Sequence, residues 1–311
     1  MGNTRMNDTG KPPAAGGTGR ATLAGMAAVL LWSCLALLTT LTAGIPPFEL
    51  LALSFGIAFV LGAGLLALGQ RGAWLAAWRQ PWGAWATGFL GLFGYHALYF
   101  FALKSAPAAR ASLIAYLWPL FLVLLSALAA GRKPGPRHLM GAALGLAGTA
   151  AIMLARGDPA ADAGAVAGYA TAGYVAAFAC ALTWSGYSVL NRRYSHVPSG
   201  IVGGLCGLVA LAGLACHLAL ENTVWPGTSQ WLAIAGLGLG PVGAAFFAWD
   251  HASKHGNLAV LGALSYLAPL ISTLLLILAG QADAGLFLLV PALLIIAGAV
   301  VATAPLKRGG R

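Results

Sequence analysis

The stretch Gly94-Tyr95-His96-Ala97-Leu98-Tyr99 concentrates polar aromatic chemistry inside an otherwise apolar run. Tyr95 and Tyr99 are one helical turn apart and His96 is three residues from Tyr99, so the three share one helix face. Such a face offers two phenolic hydroxyls, an imidazole and flat apolar surfaces. With Tyr116 and Trp118 it would form an aromatic box that packs a bulky side chain and hydrogen-bonds its polar head. The competing reading is packing or interfacial aromatics, which suits Trp74, Trp78, Trp82, Trp225 and Trp231 near the expected span ends. Trp184, Tyr187 and Trp32 are further candidates. Ser265, like Ser33 and Ser185, either lines the same space or hydrogen-bonds between helices.

Pro119 and Pro269 stand near the middle of two long apolar runs. A helical proline lacks a backbone donor and crowds the carbonyl four residues back, which kinks the helix and is expected to leave the carbonyls of Ala115 and Ser265 free to accept from a substrate ammonium. Both prolines are expected as hinges beside a polar space, the alternative being bends made for packing alone. His96 is the one ionisable group expected at depth, as a proton carrier or as a neutral, hydrogen-bonded ring. No acidic residue falls in the middle of a span, and a carrier of cations generally wants one there. There is no metal-ligand spacing, no HExxH, no phosphate-binding glycine loop and no Ser/His/Asp set, so neither a metal nor a cofactor is expected.

Lipid must surround the elements that position these groups. The 311 residues are 59% hydrophobic and 8% charged, with a mean hydropathy of +0.83, whereas a soluble domain carries about 25% charged residues. Apolar runs at roughly 21–42, 46–68, 83–103, 108–130, 138–155, 172–192, 199–220, 229–249, 257–279 and 285–304 are long enough to cross a bilayer. Cys34, Cys180, Cys206 and Cys216 all lie in such runs and read as buried free thiols. The net charge of +10 is scattered between spans rather than gathered on one face, which argues against nucleic acid.

Topology explains the basic residues better. With the amino terminus in the cytoplasm, of the 17 lysines and arginines only Lys104, Arg110 and Arg156 fall outside. The fold expected is therefore an all-α integral membrane protein of ten transmembrane helices, both termini cytoplasmic. A polar tail covers 1–20 and is expected to be disordered; a first five-helix unit covers 21–156. A linker at 157–171, a second five-helix unit at 172–305 and a basic tail at 306–311 complete the chain. Asp250 and Lys254 near the inner mouth are expected to pair, the alternative being that they gate it, and Gly141, Gly145 and Gly148 to allow close helix packing.

The chain repeats itself. Tyr116-Leu117-Trp118-Pro119-Leu120 recurs as Tyr266-Leu267-Ala268-Pro269-Leu270, Lys104 as Lys254, and Leu146-Ala147-Gly148 as Ile296-Ala297-Gly298. Trp32-Ser33 recurs as Trp184-Ser185. Five helices per half put the halves in opposite orientations, an inverted repeat of the kind that builds alternating-access carriers. By this offset Tyr95, His96 and Tyr99 correspond to Ala245, Phe246 and Trp249, so the enclosed space is expected to draw its polar groups from the first half.

On these residues, above all the run from Ala102 through Leu120 and the two Trp-Ser pairs, the sequence resembles the drug/metabolite transporter superfamily. The likeness is to its ten-helix, EamA-like branch and the YddG-type amino acid exporters within it, and extends over nearly all of 21–305. The resemblance implies a secondary transporter exporting aromatic and neutral amino acids across a bacterial inner membrane; since the duplication already supplies both halves of a pore, a monomer in the bilayer could suffice. It departs at Gly131-Arg132-Lys133 and Gly280-Gln281-Ala282-Asp283, where many relatives carry a glutamate after a Leu-Gly pair at the end of the fourth helix. The alternatives are a broad metabolite or drug exporter, uptake by the same fold, a channel and, most distantly, a membrane enzyme.

Overall fold

The computed structural model describes residues 15–69, 78–155, 170–281 and 289–303, and every regular element among them is helical. In chain order these are α1 (Ala15–Ser33), α2 (Leu35–Thr40), α3 (Pro47–Gly69), α4 (Trp82–Phe89) and α5 (Tyr95–Ser105). Then come α6 (Ala108–Ala115), α7 (Trp118–Ala129), α8 (Pro136–Ala155), α9 (Ala170–Leu190) and α10 (Ile201–Leu220). The chain continues through α11 (Thr228–Leu239), α12 (Ala245–His255), α13 (Leu258–Leu264), α14 (Leu267–Leu278) and α15 (Leu289–Thr303). Merged across their breaks, 8 helical stretches are long and apolar enough to cross a membrane, and Leu289–Ala302 is a shorter apolar helix. Large apolar side chains face outward throughout, among them Leu68, Leu218, Leu232 and Leu278, as expected where lipid rather than water is outside.

Two boundaries differ from those expected. The first helix begins at Ala15, inside the stretch read as a disordered tail. Within it Thr22 Oγ1 donates to Thr18 O at 2.8 Å. The span read as 229–249 runs on to His255 as α12, because Asp250 and Lys254 satisfy one another within it. Residues 1–14, residues 157–169 of the linker expected at 157–171 and the basic tail at 306–311 lie outside the described residues, while the linker's last two residues, Ala170 and Thr171, already belong to α9.

Helices break where the sequence removes a backbone donor or crowds a turn. Ahead of Pro119, α6 gives way to α7 at Tyr116–Leu117, with Leu117 N bonding back to Ile114 O at 3.0 Å. Ahead of Pro269, α13 gives way to α14 at Ser265–Tyr266. Wide π-helical turns at Leu90–Gly94 and Gly240–Ala244 join α4 to α5 and α11 to α12. Helices α7 and α14 both end in a glycine with positive φ, Gly131 at 63° and Gly280 at 68°. At each end two bonds close the turn: Gly131 N to Leu128 O and Arg132 N to Ala127 O, then Gly280 N to Ile277 O and Gln281 N to Leu276 O. Only glycine takes this left-handed cap without strain.

The same sequence of breaks, turns and caps thus occurs twice, at the offset of the sequence repeat. Antiparallel neighbours fix two ends of the bundle. At one, Gln230 Nε2 donates to Ala43 O (2.9 Å) and Glu221 caps α3, accepting from Phe48 N and Glu49 N at 3.1 and 3.2 Å. At the other, Asn257 N meets Thr22 Oγ1 at 3.0 Å. Helices α8 and α15 pack backbone to backbone: a Cβ on Gly141 would lie 2.6 Å from Gly298 O, and one on Gly298 2.6 Å from Gly141 O, the close approach expected of small residues in lipid.

Candidate functional site

Between the two ends lies a cluster of rings. Trp32 on α1 is its hub, with ring centroids 5.0 Å from Trp249, 5.5 Å from Trp184, 5.9 Å from Phe246 and 6.4 Å from Trp118. Its indole Nε1 donates to Pro241 O at 3.0 Å, a carbonyl of the second wide turn. Trp249 Nε1 donates to Ser188 Oγ (3.0 Å), whose own proton goes to Trp184 O. Both indole donors, that of buried Trp249 and that of partly buried Trp32, are therefore satisfied, and this wall is fixed and apolar. Edge-on and offset pairs of this kind are the arrangements that ring quadrupoles favour.

The opposing wall comes from α5, directly after the first wide turn. Tyr95 stacks on Tyr99 at 6.0 Å and meets Trp184 at 5.6 Å. His96 lies edge-on to Phe55 at 5.3 Å and near Phe246 at 6.3 Å. Tyr99 Oη and Ser112 Oγ are 3.0 Å apart. His96 Nδ1 is 2.7 Å from Leu92 O; since a carbonyl only accepts, Nδ1 carries the proton and a neutral ring keeps Nε2 as an acceptor. Tyr95, His96, Tyr99 and Tyr116 all keep partly exposed surface, whereas Trp118, Trp184 and Tyr187 are buried.

Six of the expected residues, Tyr95, His96, Tyr99, Trp118, Trp184 and Tyr187, thus belong to one network of ring contacts. Tyr116 stands next to it at the α6–α7 break, where its carbonyl accepts from Tyr266 Oη at 3.3 Å. Ser265 is placed differently. It is buried, its hydroxyl donates to Leu261 O at 2.7 Å and its carbonyl accepts from Ala268 N at 3.1 Å. The expectation that Pro269 leaves this carbonyl free is corrected: a tightened turn takes it up. Pro119 and Pro269 are both buried, and the two breaks touch, since a Cβ on Gly262 of α13 would lie 2.7 Å from Pro119 O.

Sequence reasoning missed Phe55 and Phe100, which nothing distinguishes from other membrane phenylalanines. Phe246 and Trp249 were visible only as repeat counterparts of His96 and Tyr99. It also missed a polar cluster at the Glu221 end. His217 Nδ1 is 3.1 Å from Glu221 Oε2, His217 Nε2 is 2.9 Å from Thr223 Oγ1, and Glu49 Oε2 accepts from Val224 N at 3.0 Å. Its three ionisable residues sit on α3 and α10, which only the fold makes neighbours. At the opposite end, Lys254 Nζ is 2.7 Å from Asp250 Oδ2 and 3.0 Å from Val197 O, and Asn191 Nδ2 donates to Asp250 Oδ1 at 2.9 Å. Asp250 and Lys254 therefore pair, as expected.

A groove of about 730 Å³ lies away from the rings, between α3, α4 and α10, lined by Phe59, Trp78, Trp82, Trp85, Leu208 and Leu211 among others. Its lining is apolar and its rim is open. It has the character of the lipid-facing surface and offers no converging polar groups to orient a zwitterion. Among the described residues no group of His, Cys, Asp and Glu could hold a metal ion.

Comparison with known proteins adds a family. The profile described as "EamA-like transporter family" matches the chain twice, over residues 19–154 and 171–304. A protein of Ancylobacter novellus named "Aromatic amino acid exporter YddG" is 49% identical over 290 residues, 93% of this chain and 98% of that one. One of the same name from Salmonella typhimurium is 25% identical over 270 residues, 82% of this chain and 87% of that protein. A solved structure described only as the "Crystal structure of protein" superposes with a TM-score of 0.85 at 48% identity, covering 94% of this chain and 99% of that one.

Proposed function

The chain belongs to the EamA-like transporter family, and from that membership we propose that it exports aromatic and other bulky neutral amino acids by alternating access. The observation that carries this reading is the pairing of a fixed indole wall with a partly exposed Tyr95–His96–Tyr99 face. An aromatic side chain packs between the rings. The hydroxyls of Tyr99 and Tyr116 and the Nε2 acceptor of His96 take its polar head, His96 Nε2 receiving the ammonium. Trp118, Trp184 and Tyr187 shape the apolar end, and Pro119 and Pro269 are hinges. Ser265 supports its own helix and does not touch substrate.

The wider architecture is part of the proposal. Ten membrane-crossing helices form two five-helix units of opposite orientation, the first ending near residue 156 and the second beginning near 172. The protein is a multi-pass resident of a bacterial inner membrane, with both termini in the cytoplasm and no partner chain needed. The basic residues then put the Asp250 end inside and the Glu221 end outside. A broad exporter of lipophilic cations is the second reading, and it lacks a carboxylate among the named rings to hold the cation.

Counterflow in proteoliposomes tests the assignment. Labelled phenylalanine is expected to accumulate against internal phenylalanine, and a lipophilic cation is not. Trp118→Ala and Tyr99→Phe are expected to weaken exchange, the first by about tenfold or more, because truncating a buried ring costs roughly 3–5 kcal/mol of packing. Exchange of the cation but not of phenylalanine would turn the assignment to the second reading.

A further inference from the structure

Lys104 and Lys254 occupy equivalent places in the two halves. Each stands in the last turn of the helix after a wide turn, α5 and α12 respectively, where a cation suits the helix C-terminus. Their surroundings differ sharply. Lys254 is shut in: its side chain is 1% exposed, it pairs with Asp250 at 2.7 Å, and it donates to Val197 O. Around it Asn191 Nδ2 reaches Ser253 Oγ at 2.9 Å and Arg192 donates to the carbonyls of Ser253 and Gly256. The Asp250 end is therefore tied shut between α12 and the turn leading into α10.

Lys104 is 59% exposed and touches Glu221 Oε1 only at 3.9 Å, while the Glu221 side chain is 4% exposed. Behind it lie Glu49 and His217, equally buried. The two shielded carboxylates accept backbone donors, Glu221 from Phe48 N and Glu49 N and Glu49 from Val224 N, and share the His217 ring, but no lysine or arginine meets them in full contact; Lys104 stands at the edge of Glu221. Glu221 caps the start of α3, and α3 is the element that corresponds to α10. A closed outer mouth built on the plan of the closed inner one would place Lys104 in this acidic seat.

We infer that Lys104 is the outer latch of the carrier: it closes onto Glu221, beside the Glu49–His217 pair, when Lys254 leaves Asp250, so that one lysine is sheltered at a time. The inference rests on the alternating-access reading above, and deepens it by naming the residues that close each mouth. The His217 ring between the two carboxylates holds the seat in shape through Thr223 and Glu221.

The test is amine labelling of the purified full-length protein in detergent with a water-soluble acylating reagent, read peptide by peptide by mass spectrometry. In the unaltered protein Lys104 is modified and Lys254 protected. Asp250→Asn removes the inner tie and is expected to raise labelling of Lys254 about tenfold while lowering that of Lys104 by a comparable factor. Asn191→Ala, which weakens the same tie but keeps the ion pair, moves both signals the same way by less, and serves if Asp250→Asn does not melt cooperatively. A rise at Lys254 without a fall at Lys104 in a folded variant overturns the latch. The readout needs no substrate, so a failure to exchange phenylalanine would count against the substrate assignment and leave this result standing.

Discussion

Asp250→Leu is expected to destabilise the protein by about 3–5 kcal/mol, measured as a fall in thermal stability in detergent, because it strands a buried ammonium. Lys254 has its side chain 1% exposed and Asp250 2%, so neither charge has water to fall back on. Adding Lys254→Met to Asp250→Leu should restore most of the loss, since a buried pair replaced by apolar groups of similar size is often neutral or better. The double variant should nonetheless exchange substrate poorly, for its inner mouth would be held by packing with no charge to release. Thermal stability that follows the single and double variants equally would mean that the pair is not the closure it resembles.

Gly262→Leu is expected to abolish exchange, lowering it by more than about tenfold, with a stability loss of roughly 1–3 kcal/mol from overpacking. The new Cβ would meet Pro119 O at 2.7 Å and Val123 Cγ2 at 2.9 Å. A backbone carbonyl cannot swing aside as a side-chain tip can, so the two proline breaks would be wedged apart. Gly186→Ala is the contrast. Nothing lies within 4 Å of its added carbon, and in mid-helix alanine gains up to about 1 kcal/mol over glycine. Full exchange by Gly262→Leu would show that the breaks move independently.

Much of the fold was legible because the solvent is lipid. Long runs apolar on every side admit few readings, and Pro119 and Pro269 announce breaks that the structure places two to four residues upstream. The wide turns at Leu90–Gly94 and Gly240–Ala244 were not legible, since glycine-rich apolar sequence suits an α-turn and a π-turn alike. The end of α12 was misjudged for a definite reason: polar residues at 250 and 254 look like a helix leaving the membrane, yet at i and i+4 they neutralise each other. For the site, helical spacing gathered Tyr95, His96 and Tyr99 correctly on one face. Ser265 was over-read, because a helical serine so often spends its hydroxyl on the turn behind it. Glu49, His217 and Glu221 meet only through the side-by-side packing of α3 and α10, which no local pattern encodes.

Each wide turn holds one residue more than a regular turn would, and an extra residue rotates all that follows by about 100° about the helix axis. The rotation sets which faces of α5 and α12 meet the ring cluster, Tyr95 on the one and Phe246 and Trp249 on the other. Because the surplus residue stands at matching positions in the two stretches that the family profile matches, the same change of helix phase serves both, and deleting it from either would swing that stretch's ring-bearing face away from the cluster.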